Sequence, residues 1–135
     1  MDDFALVALL KDYAKKKDIY NGTRLHDDII RKGLLHKSAY IASSLISMYA
    51  KCGLLGKAQQ VLEELPIRDM ISWSALISGY AQQGQGHKAL ICFEKMRREG
   101  FRPDVVTFTC ILNACGRIGA IDKGKKIHED LARHG

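Results

Sequence analysis

The sequence predicts an all-α fold, a right-handed α-solenoid of helix-turn-helix repeats. Apolar residues recur with the period of a helix, glycines and prolines separate the periodic segments, and one apolar motif returns at a nearly fixed spacing. A helix pair this short cannot bury its apolar face alone, so stacked neighbours must supply the core. These three observations predict one solenoid domain.

The clearest unit covers residues 70–104. The apolar residues of its first helix lie at i, i+3, i+4 and i+7 and therefore share one face: Trp73, Leu76, Ile77 and Tyr80. Gly84 and Gly86 separate this helix from a second one, and Gly100 and Pro103 end the second helix. The unit is therefore helix, turn, helix, loop.

The same unit recurs along the chain. Four first helices carry an apolar residue at the equivalent position, and successive members of this set are 36, 31 and 35 residues apart: Leu9, Leu45, Leu76 and Ile111. The second helices share an i, i+4, i+7 pattern that starts with a small residue suited to close packing: Gly22, Ala58, Ala89 and Gly124. We expect repeats at residues 3–38, 39–69 and 70–104 and a truncated one at 105–135. Uncapped terminal repeats should expose apolar surface, so we also expect self-association through them.

Charge and residue types constrain the partners and sites that this chain can have. The formal net charge of +6 favours an anionic partner. The four cysteines form no CxxC pair, so we expect no metal site, no disulfide framework and no cofactor. His26 and His128 fall at core positions of second helices, which predicts packed neutral histidines without a catalytic role. We find no targeting segment and no apolar run of membrane-spanning length, and expect no membrane partner.

A polar stripe follows the opposite face of the first helices. Its members lie at i, i+4 and i+8 in each repeat: Val7, Lys11 and Lys15; Ser43, Ser47 and Lys51; Ser74, Ser78 and Gln82; Thr109, Asn113 and Arg117. On one helix the plain interpretation is a solvated face. Repetition in register favours a binding surface lined by small hydroxyl residues beside basic ones.

The repeats resemble the pentatricopeptide repeat (PPR) family. The third is similar to the 35-residue motif from MISWSALISGY to its GFRPD close. The second resembles the short variant through SLISMYAKCG and ELPIRD, and the first and fourth resemble the long variant through GTRLH and GKKIH. This alternation resembles a plant PLS-type array. Lys17 departs from the pattern, because the other repeats have Gly53, Gly84 and Gly119 there.

The resemblance implies single-stranded RNA binding, with about one base read per repeat. In the family the fifth and last residues of a repeat select the base and the second packs against it. The implied selector residues are Val7 with Ser38, Ser43 with Asp69, Ser74 with Asp104, and Thr109, which has no partner in this chain. The implied base-packing residues are Phe4, Tyr40, Ile71 and Val106, and the phosphate contacts are Lys15, Lys51 and Arg117. A plainer interpretation makes Asp69 and Asp104 turn or helix-start residues.

The function implied by the resemblance is a non-enzymatic RNA-binding module of an organellar RNA-processing factor, in a mitochondrion or chloroplast. C-to-U editing is one such process, and other editing or processing factors would be further partners. The chain lacks the His-x-Glu and CxxC signature of a cytidine deaminase. The alternative is a protein-interaction solenoid of the tetratricopeptide kind, which the Pro-Asp close and the alternating repeat lengths disfavour.

Overall fold

The fold is a chain of helices joined by short turns. The structure, a computed structural model, describes residues 2–65 and 68–117 and, among side chains, those up to residue 114. Within these residues it contains no strand. The helices are α1 (Asp3–Lys16), α2 (Ile19–Arg31), α3 (Ala39–Lys51), α4 (Leu55–Glu64), α5 (Met70–Gln82), α6 (Gly86–Arg98) and α7 (Val105–Arg117), with a 3₁₀ turn at Leu34–His36. The predicted all-α class is confirmed.

The helices pack as two layers. In the first layer α3 contacts both α1 and α5, and α5 also contacts α7. In the second layer α4 and α6 each pack on the first helix of their own pair and on that of the next pair: α4 contacts α3 and α5, and α6 contacts α5 and α7. The first-layer helices begin at residues 3, 39, 70 and 105, where the sequence predicts the repeats to start. The result is a helix-turn-helix solenoid.

The core lies between the two layers. The motif residues Leu45, Leu76 and Ile111 are fully buried, one in each of α3, α5 and α7. In α1 the fully buried residue is Leu10, and its neighbour Leu9, which stands at the motif position, is half-buried.

The rest of the core follows the apolar faces that the sequence predicts. Trp73 is buried, as its position on the apolar face of α5 indicates. The second layer contributes the small residues Ala58 and Ala89 together with Phe93 and Met96. The matching residues of the fourth repeat lie outside the described residues: Gly124, His128 and Leu131.

The helices α1, α3 and α5 are each followed by a residue with left-handed backbone conformation. Gly53 and Gly84 have φ angles of 81° and 75°, which glycine adopts without steric cost. Lys17 occupies the same position with φ 55°. The backbone closure is the same in all three, because Tyr13, Tyr49 and Tyr80 each accept through their carbonyl oxygen from the amide five residues later. The departure at Lys17 therefore leaves the turn intact, at the cost of a left-handed non-glycine residue.

His26 is packed between layers. Its Nδ1 atom lies 2.6 Å from the Tyr49 hydroxyl, and the two rings meet edge to face. Burial lowers the pKa of His26 from its ordinary value, so the imidazole stays neutral at physiological pH. This is the packed, neutral histidine that the sequence predicts.

Gly79 sets the closest approach of α5 to α3. A Cβ atom at residue 79 would lie 2.7 Å from the Cβ of Ala50, which is fixed to the backbone of α3. A Cβ at Gly22 would also meet a neighbour at 2.7 Å, but that neighbour is the flexible end of Met48. The α3–α5 contact is therefore the more rigid of the two.

We predict that Gly79→Ala lowers the free energy of unfolding. The clash costs about 1–3 kcal/mol, which exceeds the gain of about 0.5–1 kcal/mol that alanine brings to a helix. Thermal unfolding monitored by circular dichroism measures the difference. Gly56→Ala is the matched control, because a Cβ there has no neighbour within 4 Å, and it should raise stability. Equal stabilisation by both substitutions would contradict a close α3–α5 contact.

Candidate nucleic-acid interface

Four large apolar side chains point into solvent from the first turn of the first-layer helices. Phe4, Tyr40, Ile71 and Val106 are 83%, 64%, 39% and 60% exposed. They occupy the second residue of α1, α3, α5 and α7 respectively. Burial would stabilise such side chains by about 25 cal/mol per Å², yet the fold leaves them outside the core. We call these four residues the apolar row; an aligned set of this kind indicates a surface that contacts a partner.

The residues that precede α3, α5 and α7 form hydrogen bonds to the helix ends. Asp69 Oδ1 accepts from the Ser72 amide at 2.8 Å, and Asp104 Oδ1 accepts from the Thr107 amide at 2.7 Å. Ser38 Oγ accepts from the amide of Tyr40 at 3.2 Å. The plainer interpretation, in which the two aspartates are helix-start residues, is therefore correct for their Oδ1 atoms, which cap the helices.

Capping leaves half of each carboxylate available. No described residue forms a hydrogen bond to Oδ2 of Asp69 or Asp104. An ionised carboxylate accepts at both oxygens, so one oxygen can hold the helix end while the other accepts from a ligand. The two interpretations of Asp69 and Asp104 are thus compatible. Asp2 caps α1 in the same way, at 2.8 Å from the Ala5 amide.

Ser43 and Ser74 stand at the fifth position of their repeats but hydrogen-bond differently. Ser43 donates its hydroxyl to the backbone oxygen of Tyr40, at 3.1 Å. Ser74 instead accepts from the hydroxyl of Thr107 in the next first-layer helix, at 3.0 Å. Both serines are only partly buried. A ligand would therefore meet at Ser43 a hydroxyl that has already donated its hydrogen, and at Ser74 a hydroxyl that acts as an acceptor in its bond to Thr107.

The outer two fifth-position residues differ from the serines. Val7 is half-buried and packs against the core. Thr109 is exposed and donates its hydroxyl to the Val105 carbonyl oxygen at 2.8 Å. Val7 therefore offers a ligand only apolar surface, whereas Thr109 offers it lone pairs.

A basic groove lies between α1 and α3. It has a volume of about 450 Å³ and contains three lysines and no acidic side chain among the residues that line it. Five of the predicted site residues meet in it: Val7, Tyr40, Ser43, Lys15 and Lys51. Lys11, from the same polar stripe, is the third lysine. Cationic side chains beside an exposed aromatic ring are the usual components of a single-strand nucleic-acid site.

Not all predicted residues enter the basic groove. Ser38 and Asp69 line a separate cavity of about 270 Å³ at the N-terminal ends of α3 and α5. The predicted selector partners Val7 and Ser38 therefore line different cavities: Val7 lines the basic groove, and Ser38 lines the separate cavity. The side chain of Arg117 lies outside the described part of the structure.

Matches to family models cover most of the chain. The model described as PPR repeat matches residues 40–69 and 106–135, and the one described as PPR repeat family matches residues 68–117. The chain belongs to the pentatricopeptide repeat family. The resemblance found in the sequence is thereby confirmed.

Curated PPR proteins from Arabidopsis thaliana are similar over nearly the full chain. The mitochondrial pentatricopeptide repeat-containing protein At3g53360 is 37% identical over 99% of this chain, which spans 17% of that protein. The mitochondrial protein At3g02330 is 39% identical over 91% of the chain, which spans 14% of it. This chain therefore corresponds to a small part of each relative.

Solved PPR structures share the fold. The crystal structure of PPR10 from maize matches with a TM-score of 0.80 and 26% identity, over 99% of this chain and 20% of that one. PPR10 in complex with an 18-nt psaJ RNA element matches with a TM-score of 0.79 and 25% identity, over 100% of this chain and 20% of that one. The fold of this chain therefore matches part of a PPR protein whose structure was solved in complex with RNA.

Two residues near the interface were not identified from the PPR motif. Ser72 and Thr107 are almost fully buried although polar, and each donates its amide to the aspartate before its helix. A hydroxyl residue three places after an aspartate is visible in the sequence. The burial of this hydroxyl residue against the preceding repeat cannot be read from the sequence, because helical periodicity alone does not identify which residues pack against it.

The described residues contain neither a metal cluster nor a membrane-spanning candidate. No group of three or more His, Cys, Asp or Glu side chains among them is arranged to hold a metal ion. None of the helices in residues 2–65 and 68–117 combines the length and the apolar character needed to cross a membrane. Cys110 is partly buried and its Sγ lies 3.4 Å from Ser78 Oγ.

Proposed function

We propose that this chain is a sequence-selective single-stranded RNA-binding module that reads about one base per repeat and carries out no catalysis itself. The observation that supports the proposal most directly is the apolar row, Phe4, Tyr40, Ile71 and Val106, which is exposed at one position of every first-layer helix. Family membership and the RNA-bound PPR10 structure support the same conclusion.

The apolar row would hold the bases. A base placed between two successive members would contact apolar side chains on both faces, and stacking on an aromatic ring contributes about 1–3 kcal/mol per base. Tyr40 and Phe4 offer aromatic rings, whereas Ile71 and Val106 offer aliphatic surface. Such contacts tolerate every base, because every base has a flat face. They therefore supply affinity without selecting a sequence.

Base selection would come from the edge of each base. Guanine presents N1–H and N2–H donors, and the Oδ2 atoms of Asp69 and Asp104 are acceptors that the helix caps leave unused. Adenine presents an acceptor at N1 and would be refused. Serine at the fifth position is short enough to leave room for a purine, which separates guanine from uracil. The second and third repeats would therefore prefer two consecutive guanines, with RNA running 5′ to 3′ along the array.

The lysines of the basic groove would bind the phosphates. Lys15 and Lys51 both line it, and Lys11 adds a third positive charge. Phosphate contacts determine position and affinity and carry little sequence information. Arg117 occupies the equivalent place in the fourth repeat and is proposed for the same role.

The cellular setting is proposed from the relatives. At3g53360 and At3g02330 are both named mitochondrial. We propose that the full protein is a PLS-type RNA-processing factor of a mitochondrion or chloroplast, with C-to-U editing among the processes it would serve. Other processing factors, and further copies of the chain held through its terminal repeats, are the proposed protein partners.

We predict that replacing Lys15, Lys51 and Arg117 together with alanine weakens RNA binding and flattens its salt dependence. For a single strand, the slope of log affinity against log salt becomes shallower by about 0.7 for each phosphate that is no longer neutralised. Filter binding of a short single-stranded RNA at several salt concentrations measures the slope.

The matched control for this triple variant removes the same charge from the second layer. Lys88, Lys95 and Arg98 are exposed on α6, and their replacement with alanine should change the slope less. An apolar peptide in a tetratricopeptide-like groove would bind with little salt dependence. Equal slopes for the wild-type chain and the triple variant would show that Lys15, Lys51 and Arg117 do not bind phosphates.

We predict that Asp104→Asn moves the preference at the base of the third repeat from guanine towards adenine. Asparagine caps helices as well as aspartate does, so the helix start is kept. Its amide also supplies a donor for adenine N1. The change should amount to about 1–3 kcal/mol, as for other paired base contacts. Competition binding with RNAs that differ only at that base measures it.

The matched control for Asp104→Asn is Asp2→Asn. It makes the same charge change in a residue that caps α1 in the same way but belongs to none of the three proposed selector pairs. It should leave base preference unchanged. If Asp104→Asn weakens binding to guanine, adenine and uracil equally, Asp104 serves the helix start alone.

A further inference from the structure

Thr107 connects the two proposed selector residues of the third repeat. Its amide donates to Asp104 Oδ1 at 2.7 Å, and its hydroxyl donates to Ser74 Oγ at 3.0 Å. Thr107 is fully buried, with 0% of its surface exposed, although it is polar. The large majority of buried hydroxyls form a hydrogen bond, and Ser74 Oγ is the acceptor that the structure provides for Thr107 among the described residues.

We propose that Thr107 is a specificity-determining residue that orients Ser74 towards the base of the third repeat. This inference rests on the proposed function. A serine hydroxyl has one hydrogen and two lone pairs. One lone pair of Ser74 is occupied by Thr107, and no described residue accepts the hydrogen of Ser74. Ser74 therefore keeps a hydrogen that it can donate to a ligand, next to the acceptor presented by Asp104, and only one free lone pair.

A donor beside an acceptor matches the edge of guanine. The O6 acceptor of guanine stands next to its N1–H donor, so Ser74 can donate to O6 while Asp104 accepts from N1–H. Adenine carries an N6–H₂ donor where guanine has O6, and it lacks the N1 hydrogen. Adenine is thus opposed at N1 by Asp104, and at N6 it can be accepted only by the one lone pair that Thr107 leaves on Ser74. Uracil carries the same donor and acceptor order as guanine, so Thr107 should not affect the choice between guanine and uracil.

The second repeat lacks this arrangement although its selector residues are the same. Ser72 is the residue equivalent to Thr107, and its amide likewise donates to Asp69 Oδ1. Its hydroxyl, however, is buried and has no hydrogen-bond partner among the described residues. Ser43 has already donated its hydrogen to the Tyr40 carbonyl oxygen. Ser43 therefore offers a base only lone pairs, and the second repeat should discriminate against adenine less strongly than the third.

Thr107→Val tests the inference, because it removes the hydroxyl and keeps a branched side chain and the amide that holds Asp104. Both lone pairs of Ser74 would then be free, so Ser74 could accept from adenine N6–H₂ more readily. We expect the ratio of guanine to adenine affinity at this base to fall about three- to tenfold, the worth of one neutral hydrogen bond. The ratio of guanine to uracil affinity should stay unchanged. Competition binding with 5′-CCCGGCCC-3′, 5′-CCCGACCC-3′ and 5′-CCCGUCCC-3′ measures both ratios.

Two further variants separate selectivity from folding. Thr107→Ser keeps the hydroxyl and should restore the wild-type ratio, while circular dichroism verifies that each variant is folded. Ser72→Ala is the matched control for the selector pair of the second repeat and should leave the guanine to adenine ratio at that repeat's base unchanged.

Two outcomes would overturn the inference, and they can be told apart. A guanine preference that a folded Thr107→Val variant retains in full would overturn the role of Thr107 alone. A wild-type chain that binds the three RNAs equally would overturn the proposed function, and the inference with it.

Discussion

Burial of apolar surface between neighbouring helix pairs is the constraint on which the rest of the structure depends. Leu45, Leu76 and Ile111 are fully buried, and each lies in a first-layer helix that packs on another first-layer helix and on the second layer. No pair could bury these residues alone. The face of each first-layer helix that packs in the core is fixed by these contacts, so the polar stripe and the apolar row are left on the faces that the core does not use.

The residue before each first-layer helix can serve both stability and recognition. Ser38, Asp69 and Asp104 hold the start of a helix through one side-chain oxygen. The residue types that cap helices best, Ser, Thr, Asp and Asn, are also short polar groups that can read a base edge. Capping fixes the side chain before any ligand arrives, which reduces the entropic cost of binding. The proposed selectors would therefore be preorganised by the fold that presents them.

Sequence periodicity predicted the fold and the exposed surface because both depend on the face of a helix that a residue occupies. Spacing predicts Leu76 and Phe93 in the core, and the structure has them there. The motif position of Tyr40 predicts contact with a base, and its side chain is exposed. Hydrogen bonding between repeats was not predictable in this way. Whether Ser74 pairs with Thr107 depends on how closely α5 and α7 approach, which helical periodicity does not give. Ser74 bonds to the next repeat whereas Ser43 bonds within its own helix, so the sequence does not predict that the two serines differ in what they offer a ligand.

In the function we propose, neighbouring repeats of this solenoid read neighbouring bases of single-stranded RNA. Selection of bound sequences from a random pool of single-stranded RNA tests this most directly. We expect enrichment of two adjacent guanines, contributed by the second and third repeats. A pool that stays random after several rounds of selection, or enrichment of sequences without adjacent guanines, would contradict it.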